Sequence, residues 1–214
     1  MCGIIGMIAN RPVAGPIVDA LKRLEYRGYD SAGVATLNGG PAERRRAEGK
    51  LYNLEKSVTE QPLGGAIGIG HTRWATHGGV TEENAYPHVS WDGQASMVHT
   101  GVIVNNELSK NGLLAKGVTF YSETDTEVWA NLIAFNLKEK PESDDCALMA
   151  AVRSSLAMVE GTYGIAVMAR GFPGVMVCAR RGSPLLIGVG EGERLLGSDV
   201  LAFSGRTKNV VYLN

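Results

Sequence analysis

The chain of 214 residues has few cysteines and almost no net charge. Its three cysteines, Cys2, Cys146 and Cys178, are far apart and lack C-x-x-C spacing, so neither a disulfide framework nor a zinc site is indicated. Free thiols suit a reducing compartment, and we expect a cytoplasmic protein. A formal net charge of -1 argues against nucleic-acid and membrane partners, which need a broad electropositive surface. A small neutral or zwitterionic substrate fits this balance better.

The sequence also lacks a long hydrophobic run. The opening stretch, MCGIIGMIAN, is apolar and β-like, but glycine interrupts it and no charged region precedes it. A membrane span needs about 20 apolar residues, so the stretch predicts neither an export signal nor an anchor. Hydrophobic residues make up 44% and charged residues 20% of the chain, which is ordinary globular usage. We therefore expect a single domain over residues 1–214.

Three segments predict amphipathic helices. PIVDALKRLEYRG places Pro16 in a first turn and apolar residues on one face before Gly28. ETDTEVWANLIAFNLKEK repeats the pattern, and Thr124 and Glu127 have the spacing of a capping box. DDCALMAAVRSSLAMVE predicts a third helix that ends at Gly161.

Short runs rich in valine and isoleucine predict strands. They are SAGVATLN, GAIGIGHTRW, SMVHTGVIVN, TYGIAVMAR, GVMVCAR, PLLIGVG and NVVYLN. We interpret ERRR at 43–46 as an exposed edge strand, with a basic binding patch as the alternative. Because strands come in successive runs with helices between groups, the pattern favours an α+β fold of antiparallel sheets covered by helices.

Cys2 directly follows the initiator methionine and allows two interpretations. In one, it is a small buried thiol at the start of a strand. In the other, Met1 is removed, Cys2 becomes the first residue, and its own α-amino group relays the thiol proton, as in N-terminal threonine nucleophiles. Gly3 and Gly6 suit the second interpretation, because glycine lets backbone and substrate approach closely.

The segment GIGHTRWATHGG concentrates Arg73, Trp74, Thr76 and His77 at the end of a predicted strand. It is either a strand leaving into a turn with Arg73 on the surface, or a carboxylate pocket, because arginine binds carboxylate as a bidentate fork. Asp125 in SETDTE is explained by the helix dipole alone. Paired with Arg73, it would complete a receptor for a free α-amino acid.

Seven motifs together resemble one protein family. MCGIIG, RLEYRGYDSAG, GIGHTRWATHG, ENAYPH, SETDTEV, GTYGIAVM and RRGSPLLIG occur in the order found in glutaminase domains of the glutamine–fructose-6-phosphate aminotransferases, which are class II glutamine amidotransferases. The resemblance covers nearly the whole chain. It implies the N-terminal nucleophile hydrolase fold, a four-layer αββα sandwich of two antiparallel sheets.

The resemblance also implies roles for individual residues. Cys2 would attack the side-chain amide of L-glutamine, release ammonia and form a thioester that water hydrolyses to L-glutamate. Arg73 would bind the α-carboxylate, Asp125 the α-ammonium, and the backbone N–H of Gly101 the oxyanion. The positions that match the glutamine pocket and its lid are Trp74, Thr76 and His77. No metal or organic cofactor is implied.

The chain departs from the family pattern on the oxyanion strand and in the ENAYPH motif. The oxyanion strand reads HTGVIVN where the family has H-N-G-I-I-E-N, so Thr100 replaces asparagine and Val104 replaces glutamate. Tyr86 stands where the family usually has histidine. The two residues that would bind the substrate charges, Arg73 and Asp125, are kept, and we call them the substrate clamp. The groups that would stabilise the transition state are changed at Thr100. This leaves a second hypothesis: a glutamine- or glutamate-binding regulatory module of the same fold with weak or no turnover.

The family's sugar-phosphate isomerase domains are not part of this sequence, which reaches Asn214. We therefore expect either an excised domain or a free-standing module, with an isomerase domain as its partner. Cys146 and Cys178 are expected to pack as small apolar groups in a helix and a strand. We interpret His88 as a loop residue and His99 as a contact in the wall of the site.

Overall fold

The computed structural model describes residues 2–138 and 146–213. The helices are α1 (Ala14–Lys22), α2 (Leu51–Glu60), α3 (Asn106–Leu114), α4 (Asp125–Lys138) and α5 (Ala147–Leu156). The strands are β1 (Gly3–Ala9), β2 (Ser31–Leu37), β3 (Glu43–Glu48), β4 (Ile67–Arg73), β5 (His88–Val89), β6 (Ala95–Ile103), β7 (Gly161–Ala169), β8 (Val177–Arg181), β9 (Leu186–Gly190), β10 (Glu193–Gly197) and β11 (Val210–Tyr212). None of these helices combines the length and the apolar run that a bilayer span requires.

The strands form two antiparallel sheets. The first has seven strands in the order β11-β9-β10-β1-β4-β2-β3, and the second has four in the order β5-β6-β7-β8. Helices α1 and α2 cover the outer face of the first sheet, and α4 and α5 cover the outer face of the second. The α+β, four-layer αββα prediction is confirmed, and β3, which contains the ERRR run, is an edge strand as expected.

Three apolar cores lie between the four layers. One joins α1 and α2 to the first sheet, one joins the second sheet to its helices, and the third fills the space between the sheets. Alternation along β1 explains this arrangement, since Ile5 and Met7 face the helices while Ile4 faces the other sheet. Both faces of the central strands are therefore buried, and the functional residues must come from strand ends and loops.

The glycines of β4 allow α1 to approach the sheet closely. A Cβ placed on Gly70 would lie 2.4 Å from Cγ2 of Ile17, and one on Gly68 would lie 2.9 Å from its Cδ1. Ile17 is fully buried against this bare stretch of strand. Replacing such a side chain by alanine costs about 2–5 kcal/mol of stability, so this contact helps to fix the strand that carries Arg73.

Four sequence predictions need correction. Helix α1 ends at Lys22, and a 3-10 turn at Glu25–Arg27 precedes Gly28. Helix α5 ends at Leu156, because Gly161 belongs to β7 and has a φ of 140°.

The other two corrections concern side chains. Cys146 does not pack as an apolar group, since it is the exposed N-cap of α5. His88 is not a loop residue, because it begins β5 and is buried. Cys178 is half-buried in β8 against the core between the sheets, as expected.

Several elements were not predicted from the sequence. Helix α2 buries only Leu51 and Leu54, and α3 buries only Leu113. Helix α2 nevertheless carries an apolar face that was overlooked, since Val58 packs on the same core as Leu51 and Leu54, whereas α3 shows no such face. The two-residue strand β5 is too short to show alternation, and β10 carries charged residues at its start.

Candidate active site

Cys2 lies beside Arg73 at one end of the seven-stranded sheet. In the β1–β4 pair, Gly3 is opposite Thr72, so continuing the antiparallel register by one residue places Cys2 opposite Arg73. The Cys2 thiol accepts a hydrogen bond from the backbone N–H of Trp74 over 3.2 Å. Gly3 donates its N–H to the Thr72 hydroxyl over 3.0 Å, and a Cβ on Gly3 would lie only 2.5 Å from that oxygen. Glycine after Cys2 is therefore required for this close strand contact.

The surroundings of the Cys2 thiol favour its protonated form. Burial raises the pKa of the thiol above its ordinary value, and the hydrogen bond from Trp74 opposes the shift without cancelling it. The nucleophile in cysteine chemistry is the thiolate. A thiol with a raised pKa therefore needs a base close by, and the α-amino group of a processed N-terminal cysteine would provide one.

Arg73 is buried, with only 2% of its surface exposed. Its guanidinium donates to the carbonyl of Gly79 over 2.9 Å and to the carbonyl of His77 over 2.5 Å. It also lies 4.0 Å from the carboxylate of Asp30. Arg73 therefore holds the loop that follows it. Because a guanidinium has five N–H donors, it keeps capacity for a ligand carboxylate.

Asp30 supports the turn after β4 and was not singled out from the sequence. Its N–H donates to the Arg73 carbonyl over 2.8 Å, and its carboxylate accepts the N–H of Ala75 over 2.6 Å and the hydroxyl of Ser31 over 2.9 Å. The signal was present, since Asp30 belongs to the RLEYRGYDSAG motif. Its support of the turn after β4 depends on the pairing of β2 with β4, which the sequence alone does not show.

The loop after Arg73 carries three predicted pocket residues at the surface. Trp74 is 55% exposed, Thr76 is exposed and His77 is half-buried. The indole of Trp74 covers Gly28, where an added Cβ would lie 3.0 Å from the ring. Thr76 and His77 adjoin each other through a contact of 3.4 Å between the hydroxyl and Nδ1. These side chains lie at the rim of the site beside Cys2 and Arg73.

Glu123 and Asn84 fix the far end of this loop. The Glu123 carboxylate accepts the N–H of Gly79 over 3.2 Å and the side-chain amide of Asn84 over 3.0 Å, and these bonds lower its pKa. Asn84 in turn accepts the backbone N–H of Glu123 over 2.9 Å. The loop is thereby attached to the segment that leads into α4. Neither residue was singled out from the sequence, although both belong to quoted motifs.

Asp125 is the first residue of α4 and is buried. Its carboxylate accepts the N–H of Ile103 over 3.1 Å and the hydroxyl of Thr126 over 3.2 Å. Nδ1 of His77 lies 4.0 Å from it, and Nδ1 of His99 lies 3.9 Å from it. His77 therefore connects the two predicted clamp residues, because its carbonyl binds Arg73 and its ring faces Asp125.

Half of the predicted capping box forms at this helix start. The Thr124 hydroxyl accepts the N–H of Glu127 over 3.2 Å, as the motif predicts. The Glu127 carboxylate does not return to Thr124. It accepts instead the N–H groups of Tyr121, over 2.8 Å, and Ser122, over 2.6 Å. This tightens the turn before α4 and so fixes the direction of Asp125.

Thr100 and Gly101 lie on β6 of the second sheet. Alternation places Thr100 on the same face as Val98, which packs in the core between the sheets, and β1 contacts β6 across that layer. Gly101 has a φ of 135°, and a Cβ there would lie 2.0 Å from the Thr162 carbonyl oxygen, so this position requires glycine. The Thr100 carbonyl accepts the hydroxyl of Ser183 over 3.2 Å. Val104, another departure from the family, is 70% exposed.

Comparisons with known proteins agree with this geometry. A family described as "Glutamine amidotransferase domain" matches residues 56–139. The chain is 51% identical over 213 residues to the glutamine–fructose-6-phosphate aminotransferase (isomerizing) of Rhizobium meliloti strain 1021, covering 100% of this chain and 34% of the relative. It thus spans about a third of the length of the curated relatives it matches.

Two solved structures share the fold. The glutamine phosphoribosylpyrophosphate amidotransferase from B. subtilis matches with a TM-score of 0.78 and 26% identity, covering 99% of this chain and 44% of that one. A structure described as the allosteric regulatory enzyme of purine biosynthesis matches with a TM-score of 0.80 and 26% identity, covering 100% and 44%.

Proposed function

Since the chain belongs to the class II glutamine amidotransferases, we propose that it hydrolyses the side-chain amide of L-glutamine to L-glutamate and ammonia, with Cys2 as the nucleophile. The observation that carries this proposal is the position of the Cys2 thiol, which accepts the Trp74 N–H at the end of β1 beside Arg73. Catalysis by a free thiol suits a reducing cytoplasm, where we propose that the protein acts.

Substrate binding uses two buried charges of opposite sign. Arg73 takes the α-carboxylate of glutamine through guanidinium donors, and Asp125 takes the α-ammonium. Both residues are buried and already fixed by backbone groups, so little side-chain freedom is lost on binding. Trp74, Thr76 and His77 close the rim around the bound amino acid.

The reaction proceeds by two acyl-transfer steps. The α-amino group of Cys2, exposed by removal of Met1, accepts the thiol proton while sulfur attacks the amide carbon. The oxyanion that forms is held by the backbone N–H of Gly101. Collapse breaks the C–N bond and releases ammonia, to which the proton is returned. Water then attacks the γ-glutamyl thioester, and glutamate and the free thiol are restored.

Thr100 lowers the rate of this reaction without removing substrate binding. Its hydroxyl occupies the position where the family pattern has a longer side-chain amide, and it supplies a donor with shorter reach. A binding module without turnover is the competing function, and the threonine at position 100 in place of the family's asparagine is the observation in its favour. The high identity to relatives named as aminotransferases favours the glutaminase.

The released ammonia needs an acceptor that this chain does not contain. The relatives are named as glutamine–fructose-6-phosphate aminotransferases and are about three times as long. We therefore propose that residues 1–214 form one glutaminase domain. It supplies ammonia to a sugar-phosphate isomerase domain, in the same polypeptide or on a separate chain, that converts fructose 6-phosphate to glucosamine 6-phosphate.

The test is ammonia release from L-glutamine by the purified protein, with mass spectrometry to establish whether Met1 has been removed. We expect equimolar glutamate and ammonia. Binding of glutamine with no ammonia above a Cys2→Ala control would overturn the glutaminase and leave the binding module.

A further inference from the structure

Tyr86 contacts both groups that hold His99, the residue immediately before Thr100. The phenol side chain is buried at the interface of the two sheets. Its ring lies 4.5 Å, centroid to centroid, from the ring of His71, and its hydroxyl lies 2.8 Å from the hydroxyl of Thr126. His71 and Thr126 come from different elements, β4 and α4, and both contact His99.

The first connection runs through His71. Nε2 of His71 lies 2.8 Å from the His99 carbonyl, which belongs to the peptide bond that joins His99 to Thr100. Burial lowers the pKa of His71 to about 3, so the ring is neutral and carries one proton. That proton must be on Nε2, because a carbonyl can only accept. Among the described residues Nδ1 has no hydrogen-bond partner, and the ring of Tyr86, tilted by 33° to the imidazole, packs against His71 instead.

The second connection runs through Thr126. Its hydroxyl lies 3.0 Å from Nδ1 of His99 and 3.2 Å from the Asp125 carboxylate, in addition to the Tyr86 hydroxyl. A hydroxyl donates one hydrogen bond and accepts two. The Thr126 hydroxyl donates to the Tyr86 hydroxyl, its shortest contact, and the Asp125 carboxylate and Nδ1 of His99 are further acceptors around it. Nδ1 is an acceptor because Nε2 of His99 faces the Thr162 carbonyl over 3.5 Å, and a neutral ring has one proton. Removal of the phenol hydroxyl takes away the closest partner of Thr126, so its hydroxyl can turn toward His99 or Asp125.

We propose that Tyr86 is a positioning residue for the Thr100–Gly101 segment of β6, because it fixes the backbone of His99 through His71 and the ring of His99 through Thr126. This inference rests on the proposed function, in which Gly101 binds the oxyanion. The ring of Tyr86 also lies 5.9 Å from the guanidinium carbon of Arg73, so one side chain supports the oxyanion strand and the substrate clamp together.

The test separates the hydroxyl from the ring. Tyr86→Phe keeps the ring against His71 and Arg73 and removes only the hydroxyl. We expect kcat for glutamine hydrolysis to fall about tenfold, since a displacement of about 1 Å near the reacting groups can cost about 100-fold, while KM stays within about twofold. Thr126→Val removes the partner hydroxyl in a side chain of similar shape and is expected to act in the same direction.

The matched control is Ser90→Ala. Ser90 is also buried, and its hydroxyl accepts the N–H of Ala95 over 3.0 Å, but it lies at the opposite end of β6 from Thr100. We expect its kcat to remain within about twofold of the parent, because the loss of a buried hydroxyl far from the site does not move Gly101. Equal kcat values in Tyr86→Phe and the parent would overturn the inference.

A second readout does not depend on turnover. In ¹H–¹⁵N correlation spectra, the amide resonances of Thr100 and Gly101 should shift in Tyr86→Phe and stay in place in Ser90→Ala. If the parent releases no ammonia, the proposed function fails, and these resonances alone decide the positioning of β6. Unchanged Thr100 and Gly101 resonances in Tyr86→Phe would overturn the inference whether or not the parent is active.

Discussion

The guanidinium of Arg73 donates to the backbone carbonyl of His77 over 2.5 Å, while the His77 ring lies 4.0 Å from Asp125. One residue of the loop therefore contacts both charges that we assign to substrate binding. A second bond from Arg73 to the Gly79 carbonyl fixes the same loop. Arg73 consequently has a structural function beside the substrate binding that we propose for it, since it shapes the loop at the rim of the site.

This double function predicts a large effect for Arg73→Lys. A lysine ammonium keeps the charge but replaces a planar fork by a point charge, and it cannot reproduce both carbonyl bonds with the same geometry. We expect glutamine binding to weaken tenfold or more, a loss of about 1.4 kcal/mol or greater, measured by titration calorimetry. Arg45→Lys is the control, because Arg45 also donates to backbone carbonyls, on the edge strand β3. Affinity within about twofold of the parent in Arg73→Lys would contradict the clamp.

Cys2→Ala is expected to abolish both glutamine hydrolysis and labelling by an electrophilic glutamine analogue. The reason is that the thiol at the end of β1 is the only group assigned to attack the amide. Cys146→Ala and Cys178→Ala should change neither property, because Cys146 caps α5 and Cys178 lies half-buried in β8. Mass spectrometry of the labelled peptide provides the measurement. A label that persists in Cys2→Ala and moves to another cysteine would show that the nucleophile was assigned wrongly.

The sequence was sufficient to predict the layers of the fold. Short apolar runs such as SAGVATLN and TYGIAVMAR indicate buried strands, and both strands are present. Helix α4 was also predicted, from the apolar pattern of ETDTEVWANLIAFNLKEK, and ten of its residues are buried. Helix α3 could not be predicted in the same way, because Leu113 is its only buried residue, and its helical structure follows from packing against neighbours. Helix α2 has a local pattern in Leu51, Leu54 and Val58, which was overlooked.

The contacts within the site were less predictable than its members. The motifs indicated Cys2, Arg73 and Asp125, but no local pattern places β1 next to β4, a pairing of strands far apart in sequence. Asp30 illustrates the limit, because its carboxylate binds Ala75, a residue on another strand's loop. Tyr86 is a second case: the sequence marked it as a departure from the family, and only the fold showed that it lies between His71 and Thr126.

Three buried histidines predict a loss of stability in mild acid. Burial lowers the pKa of His71 to about 3, and burial also lowers the pKa values of His88 and His99, the last against the opposing charge of Asp125. The unfolded chain therefore binds these protons at a higher pH than the folded protein does. Their contribution to stability is complete above the unfolded pKa of about 6.5 and is lost as the pH falls below it.

The measurement is urea unfolding between pH 7 and pH 5. Each proton taken up on unfolding lowers the free energy of unfolding by about 1.4 kcal/mol per pH unit, so His71 and His88 together give a slope that approaches about 3 kcal/mol per pH unit below the unfolded pKa, and His99 acts in the same direction. His71→Gln, which can still donate to the His99 carbonyl, should reduce the slope by about 1.4 kcal/mol per pH unit. A free energy of unfolding that does not change across this range would contradict the assignment of three neutral histidines.

Thr100→Asn tests the slow turnover that we propose. The family pattern pairs an asparagine amide with the N–H of the following glycine, and preorganised donors of this kind often supply the largest electrostatic contribution to acyl transfer. Thr100 keeps a hydroxyl donor, but the hydroxyl is closer to the backbone and can rotate away from the oxyanion. Loss of one such donor costs roughly 10²- to 10³-fold in kcat. The Thr100 side chain lies on the face of β6 toward the first sheet, on the same side as Val98.

We therefore expect Thr100→Asn to raise kcat by roughly one to three orders of magnitude with little change in KM, because Arg73 and Asp125 carry ground-state binding. Steady-state ammonia release over a range of glutamine concentrations separates the two constants. Thr100→Val, which removes the hydroxyl in a side chain of the same shape, should lower kcat below the parent if the threonine donor contributes at all. A kcat for Thr100→Asn within about twofold of the parent would mean that the threonine hydroxyl or an ordered water already performs the donor's function. In that case the binding module would lose its main support, and the chain would be an ordinary glutaminase despite its altered oxyanion strand.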